Sequence, residues 1–566
     1  MSGMETRIAS CVSKIGRNAL MKRLVGLTSS ELSRLNMQGQ ESVRILRMFH
    51  CVIALILVCI AHGDARASAD DTRSVPQHAF FHASLGRNFK SNVSGRLLLF
   101  IGPVSGNPTA VDMDMMSITS VYIAAKEVSH LSPGETVDVD ADDVVFPHPI
   151  SDAPAGQYRI QAVLDVHHSY NYDGRSEGDL LSAPEVFSLP ISSTPSVSLT
   201  EVVAAPPDPL ANDPEVGSAL RPIDFTSPTL SAFWGRSIRM RGWILLPPGY
   251  KSHLNERYPT VYFTHGFGAT LYSLRARYAK LLYSRMKLGK MPEMIWVLLD
   301  ESSPSGTHEF ADGVNNGPWG TALTTELIPF IEANYRMDAR PSGRFLQGHS
   351  SGGWATLWLQ TRYPQTFGGT WSTSPDPSDF HFFSTIDIYA PNANFYHAPN
   401  GTPYPMIRDQ GKPLATMQQL AEVENVIGEY GGQLASFEWV FSPRGPDGRP
   451  SRLFNRSTGD IDPVVAEYWR SHYDICQRLN TEWSKIGMDL KGKIHLFVGT
   501  EDTFYLDGAA RSLQSTLDRL GGDGHFTFVP GRSHFNLYTV DDDRFALFDQ
   551  IAAEMYKVAR PGKTRE

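Results

Sequence analysis

Cysteine is almost absent from this 566-residue chain. There are four, and Cys11, Cys51 and Cys59 all lie in the first 60 residues. Cys476 is left without a partner for an internal disulfide, so the body of the protein must stand on core packing. Cysteine and histidine do not recur at zinc-ligand spacing either; His167 and His168 are adjacent, not four apart on a helix. Basic charge is also scarce. Lys and Arg number 51 against 60 Asp and Glu, for a formal net charge of −9. The first 67 residues hold nine of the bases and four of the acids, leaving 42 bases against 56 acids beyond them. A chain that acidic, with no basic stripe, would repel a polyphosphate, which argues against nucleic acid as a partner. Beyond residue 61 no apolar run is long enough to span a bilayer.

What is present is an ordinary globular balance. Hydrophobic residues make up 41% and aromatics 11%, with 47 Gly and 38 Pro, enough to build a sizeable core. The length suggests two to four domains. Cys51–Ala61 is an uninterrupted apolar run preceded by Arg44 and Arg47 and followed by Ala65-Arg66-Ala67. That is the pattern of a secretory signal peptide with a small-x-small cleavage site, so residues 1–67 are expected to be a leader and the protein exported, periplasmic or secreted.

From about residue 78 to 190 the apolar residues repeat every second position. In Gly156–Val166, Tyr158, Ile160, Ala162, Leu164 and Val166 alternate with Gln157, Arg159, Gln161, Val163 and Asp165. This predicts a small all-β, sandwich-like domain. Residues 191–229 are dense in Pro, Ser and Asp and read as a linker. Over 230–560 short β-rich runs alternate with helical periodicity, which predicts a doubly wound, mostly parallel α/β sheet. Residues 376–480 interrupt that order with Pro-, Gly- and aromatic-rich sequence and read as an inserted cap.

Gly348-His349-Ser350-Ser351-Gly352 matches G-x-S-x-G, with strand-like Phe345–Gln347 before it and a helical run from Gly353 after it. Strand, tight turn and helix are what a nucleophile elbow requires, and Ser350 sits at its apex. A serine hydroxyl needs a base, and the chain order for this fold is Ser, then Asp or Glu, then His. Lys493–Val498 reads as a late strand with Asp502 just beyond it, and Glu501 and Asp376 as rival acids. His534 lies between the strand His525–Val529 and the last helix. Tyr262–Gly268 runs from a strand into a glycine loop, making the backbone N–H groups of Phe267 and Ser351 the candidate oxyanion donors.

Several stretches in this order (Tyr258–Gly268, Asn316–Arg336, Arg344–Gly353, Tyr363–Pro375, Val498–Asp502 and Gly531–Asn536) resemble the Putative esterase family of α/β-hydrolases, which includes esterase D-like, feruloyl and enterochelin esterase-like members and mycolyltransferases. The likeness covers about residues 238–555. It implies Ser350, Asp502 and His534 in the triad places and Phe267 and Ser351 in the oxyanion places. The segment between Asp376 and Trp483 departs from compact members, so their substrates do not carry over. The expected activity is carboxylic-ester hydrolysis through an acyl-enzyme, on a small-molecule or polymer-linked ester, with no metal or organic cofactor. An acyltransferase sharing the triad, or a serine peptidase, are the alternatives. No candidate catalytic residue lies in the N-terminal domain, which is expected to orient substrate or to pack.

Overall fold

Alternating apolar residues from Phe80 onward pair into a first sheet of nine strands: β1 (Phe80–Leu85), β2 (Val93–Pro103), β3 (Tyr122–Leu131), β4 (Thr136–Asp140), β5 (Val145–Phe146), β6 (Gly156–Asp165), β7 (Leu180–Ser182), β8 (Glu185–Leu189) and β9 (Ser196–Val202). Their order is β4-β1-β9-β7-β6-β2-β3-β5, with β8 on the first half of β6. Inward residues of β1 (Phe81, Ala83), β2 (Leu97, Leu99), β4 (Val139), β6 (Ile160, Ala162) and β9 (Val197, Leu199) share one core. Strands from both ends of the order meet there, so the sheet curls around its own interior. The computed structural model describes residues 78–170, 174–428 and 432–562, which fall in one compact unit. The expected leader lies outside the described residues. Among these, no helix is long and apolar enough to cross a membrane.

The second sheet is built from β10 (Leu220–Thr226), β11 (Arg239–Leu245), β12 (Thr260–Thr264), β13 (Ile295–Leu299), β14 (Arg344–His349), β15 (Gly369–Thr373), β16 (Ile494–Gly499) and β17 (His525–Val529). Its order is β10-β11-β13-β12-β14-β15-β16-β17. The first two strands are antiparallel to each other and β11 is antiparallel to β13; the rest run parallel. This is the α/β-hydrolase sheet. Strands β12, β13 and β15 are buried along their whole length, as strands covered by helices on both faces must be. One face packs on the helices Lys280–Lys287 and Ala546–Ala559 through Leu282, Met286, Ile551 and Met555. On the other, Leu323, Leu327 and Ile331 of the helical run 319–334 pack with Tyr262 and Leu346.

Two expectations need correction. Residues 191–229 are not a linker throughout: β9 pairs with β1 and β7, and β10 pairs with β11. Pro206, Pro207 and Pro209 cluster in the short irregular stretch between these strands, and Pro222 lies on the edge strand of its sheet, where a missing N–H is tolerated. Nor does the first sheet keep one polar face. Gln161, Val163 and Asp165 of β6 are as buried as their apolar neighbours. The insertion covers Val163, while Gln161 and Asp165 are satisfied by the domain's own residues Val111, Ser182, Ser169 and Tyr170. The insertion's helix α2 (Met417–Ile427), which follows α1 (Ser351–Arg362) in the chain, lies against the outer face of this sheet, and Leu98, Phe100, Ile123, Ala125 and Val163 join Leu420, Val423 and Val426 in one core. A capping box starts α2, with Thr416 Oγ1 accepting from the Gln419 N–H and Gln419 Oε1 from the Thr416 N–H.

A shared core should make the two sheets unfold together. Phe100→Ala removes a fully buried ring at this joint and is expected to cost about 3–5 kcal/mol. Denaturant titration should then show a single transition displaced to lower midpoint in the variant. Two separate transitions, with only the first moved, would mean that the sheets are independent.

Candidate active site

The carboxyl ends of β12, β13, β14, β15 and β16 carry the polar residues of the site. At the end of β14 the chain turns sharply into α1, and Ser350 forms the turn with φ 60° and ψ −126°. A side chain rarely adopts that backbone conformation, and it is held because two glycines let the surrounding chain close in. A Cβ on Gly348 would run into the Gly352 carbonyl oxygen, and one on Gly352 would come within 2.5 Å of the Thr264 and His265 carbonyl oxygens. The Ser350 N–H donates to the Thr373 carbonyl at 3.1 Å, and the Asp376 N–H donates to the Ser350 carbonyl at 3.2 Å.

Asp502 and His534 are brought together. The turn after β16 places Asp502 Oδ2 3.0 Å from His534 Nδ1. Both are buried, Asp502 completely. Burial alone would raise the Asp502 carboxyl, but the imidazole beside it and the Phe504 N–H hold it below the ordinary carboxylate value. Phe504 stands edge-on to the His534 ring at 4.9 Å, and the His349 ring lies 4.4 Å away on another side. Burial and the neighbouring His534 push His349 down to about 3, so it packs here as a neutral ring.

Ser350 is mostly buried, and among the described residues its hydroxyl reaches Asp376 Oδ1 at 3.5 Å rather than the His534 ring. Hydrogen bonds in a substrate-free site are often long and tighten only around substrate. Asp376, one of the rival acids, stands directly beside the serine pair. It is buried, accepts from Ser351 Oγ at 2.6 Å, and burial pushes it up to about 6. Glu501, the other rival acid, is not bonded to His534.

The Ser351 N–H opens α1, and the loop after β12 comes close alongside: a Cβ on Gly266 would lie 3.1 Å from the Ser350 Cβ. His265 shapes that loop. The Glu301 N–H donates to His265 Nε2 at 3.0 Å, so Nδ1 carries the proton and donates to the Gly266 carbonyl at 2.8 Å. Sequence reading missed this contact, and also Arg408, whose Nε donates to the Asp502 carbonyl at 2.8 Å from within the insertion. A buried acid group beside the site was missed too. Glu301 and Glu309 are completely buried, both Glu301 oxygens lack a hydrogen-bond partner among the described residues, and burial pushes Glu301 up to about 8 and Glu309 well above the ordinary carboxylate value. The available signal was position: Asp300-Glu301 follows β13 directly, at the sheet edge where ligand sites form in α/β folds. Among the described residues only His78, Asp140 and Asp142 gather three potential metal ligands, and none belongs to this site.

A strained serine at the strand–helix turn thus shares one sheet edge with a paired histidine and aspartate on later loops. The chain belongs to the Putative esterase family, whose profile matches residues 231–516. It is 28% identical over 142 residues to the uncharacterized protein YbbA of Bacillus subtilis, covering 23% of this chain and 54% of that one. To Esterase Rv1288 of Mycobacterium tuberculosis it is 30% identical over 140 residues, covering 24% of this chain and 29% of that one. The match therefore spans about half the length of the first relative and under a third of the second. Among solved structures, a ferulic acid esterase of Anaeromyces mucronatus superposes with TM-score 0.33 at 15% identity, over 60% of this chain and 89% of that one. An S-formylglutathione hydrolase of Agrobacterium tumefaciens gives 0.34 at 14%, over 60% and 94%.

The raised Glu301 carboxyl has a sign that can be tested. Its folded value near 8 lies above the ordinary carboxylate value of ~4.3, so its contribution to stability is full below ~4.3 and is lost as pH rises through 8. Each pH unit between those values should remove up to ~1.4 kcal/mol. Glu301→Gln takes no charge, so calorimetric melting temperatures at pH 5, 6, 7 and 8 should diverge, with the variant increasingly the more stable. Parallel curves would count against a buried, uncompensated carboxyl.

Proposed function

We propose that the protein is an exported serine hydrolase that cleaves carboxylic esters through an acyl-enzyme on Ser350. The observation that carries the reading is the Asp502–His534 hydrogen bond beside an elbow serine held at φ 60°. The apolar leader pattern at Cys51–Ala61 supports export.

In this reading the Ser350 hydroxyl swings from Asp376 toward His534 as substrate enters. His534 Nε2 takes the proton while Ser350 Oγ attacks the acyl carbon, and Asp502 holds the Nδ1 proton and stabilises the imidazolium. The oxyanion is met by the Ser351 N–H, reinforced by the helix N-terminus, and by the Phe267 N–H. His534 returns the proton to the departing alcohol. Water then adds to the acyl-enzyme with His534 again as base, and the carboxylic acid leaves. Transfer of the acyl group to another alcohol shares every step up to the acyl-enzyme. A largely enclosed apolar cavity beside Asp376, able to shelter an acyl group from water, supports that second reading.

A fluorophosphonate probe followed by peptide mass mapping is expected to find its adduct on Ser350, absent in Ser350→Ala. Asp502→Asn should lower kcat on an aryl acetate by ~10⁴, because the imidazole is left in the wrong tautomer. An adduct on Ser351, or near-normal turnover in Asp502→Asn beside a dead Asp376→Asn, would move the roles to those residues.

A further inference from the structure

A cavity beside the elbow is lined by residues of the insertion. Asp376 and Phe504 stand among its walls; the first contacts Ser350 Oγ and the second packs on the His534 ring. Beyond them the walls are mainly apolar, with Phe383, Met406, Met417, Leu420, Leu434 and Phe437 outnumbering the polar Ser384 and Gln433. Its free volume is only about 20 Å³, so the space is a narrow slot. A slot of that shape suits a flexible, unbranched hydrocarbon chain better than a ring or a sugar. Two methionines can shift to widen it, since thioether side chains adapt their packing at little cost.

Met417 and Leu420 sit one turn apart on α2, so the position of that helix sets the width of the slot. The N-terminal sheet holds the helix. Arg96 of β2 donates from Nε and Nη2 to the Val426 carbonyl, at 3.2 and 2.9 Å, and from Nη2 to the Asn425 carbonyl at 3.2 Å. Those are carbonyls of the last turn of α2, where a guanidinium satisfies orphan acceptors and complements the helix dipole. The Glu424 carboxylate in turn accepts from the Gln433 and Leu434 N–H groups, fixing two further wall residues to the same helix.

We propose that this slot receives the acyl chain of the substrate, that the natural ester carries an unbranched aliphatic acyl group longer than acetyl, and that the N-terminal sheet sets this preference by clamping α2 through Arg96. The proposal rests on the hydrolase reading and names the substrate class of that site. Arg96 touches no substrate and is a positioning residue.

The test uses the full chain and a series of p-nitrophenyl esters from acetate through butyrate to octanoate, beside acetate esters of lengthening alcohols. kcat/KM should rise at least tenfold from acetate to octanoate. A flat acyl series, or a preference that follows the alcohol, overturns the assignment of the slot. Met406→Trp narrows the slot and should lower the octanoate-to-acetate ratio of kcat/KM by tenfold or more. Arg96→Ala should lower that ratio by threefold or more, chiefly through KM for octanoate, with Arg96→Lys restoring part of it. A lower melting temperature with an unchanged ratio in Arg96→Ala would reduce Arg96 to a packing residue and overturn the clamp. A wild-type protein that hydrolyses no ester and leaves Ser350 unlabelled would instead reject the hydrolase reading on which this one stands.

Discussion

Everything in the site is measured from a crossing of backbones. Strand β14, the turn at Ser350 and helix α1 meet the end of β12 with no room for a side-chain carbon at Gly348 or Gly352. That closeness brings the loop at Gly266 alongside Ser350 and holds the serine in a conformation it would not keep alone. The cost is local strain. It is offset by an environment in which α1 is buried from Ser351 to Thr361 and cannot back away.

Around this crossing the polar groups divide into two kinds. Asp502 is buried but has a partner for its charge, and its loop is tied by Arg408 to the insertion. Asp376, Glu301 and Glu309 are buried with little to compensate a charge, and burial raises all three. Carboxyls of opposite tendency within one site are a recognised route to distinct protonation states at neutral pH. Asp502 is held toward the charged form beside His534, while burial favours the neutral form of Glu301 and Glu309.

How much was legible in the residues follows the range of the signal. The elbow was readable because its parts, Gly348, Ser350 and Gly352 between a strand and a helix, are contiguous. The pairing of Asp502 with His534 was readable because chain order restricts which late loops of this sheet can meet. The joint between the N-terminal sheet and the insertion was not. Its halves lie hundreds of residues apart, and the outer face of β6 reads as a polar face because it alternates Gln161 and Asp165 with Val163. Gln161 is buried by donating to the Ser182 carbonyl and accepting from the Val111 N–H, and Asp165 by accepting from the N–H groups of Ser169 and Tyr170. Such partners are tertiary facts. The prolines at 205–209 misled for a simpler reason: a short coil coloured the composition of two strands on either side of it.

The shared core also bears on how the chain comes to be folded. Leu98 and Phe100 are made early, and Met417 and Leu420, which close over that face, come about 320 residues later. At 5–20 residues per second that interval is roughly 15–60 s, whichever channel the chain emerges from. Throughout it the curled sheet can complete its own interior while its outer surface stays apolar and bare. Contacts of such long sequence separation form slowly, and an uncovered apolar sheet face invites association with other chains in the meantime. The distance between β2 and α2 along the chain therefore sets how long that face goes uncovered.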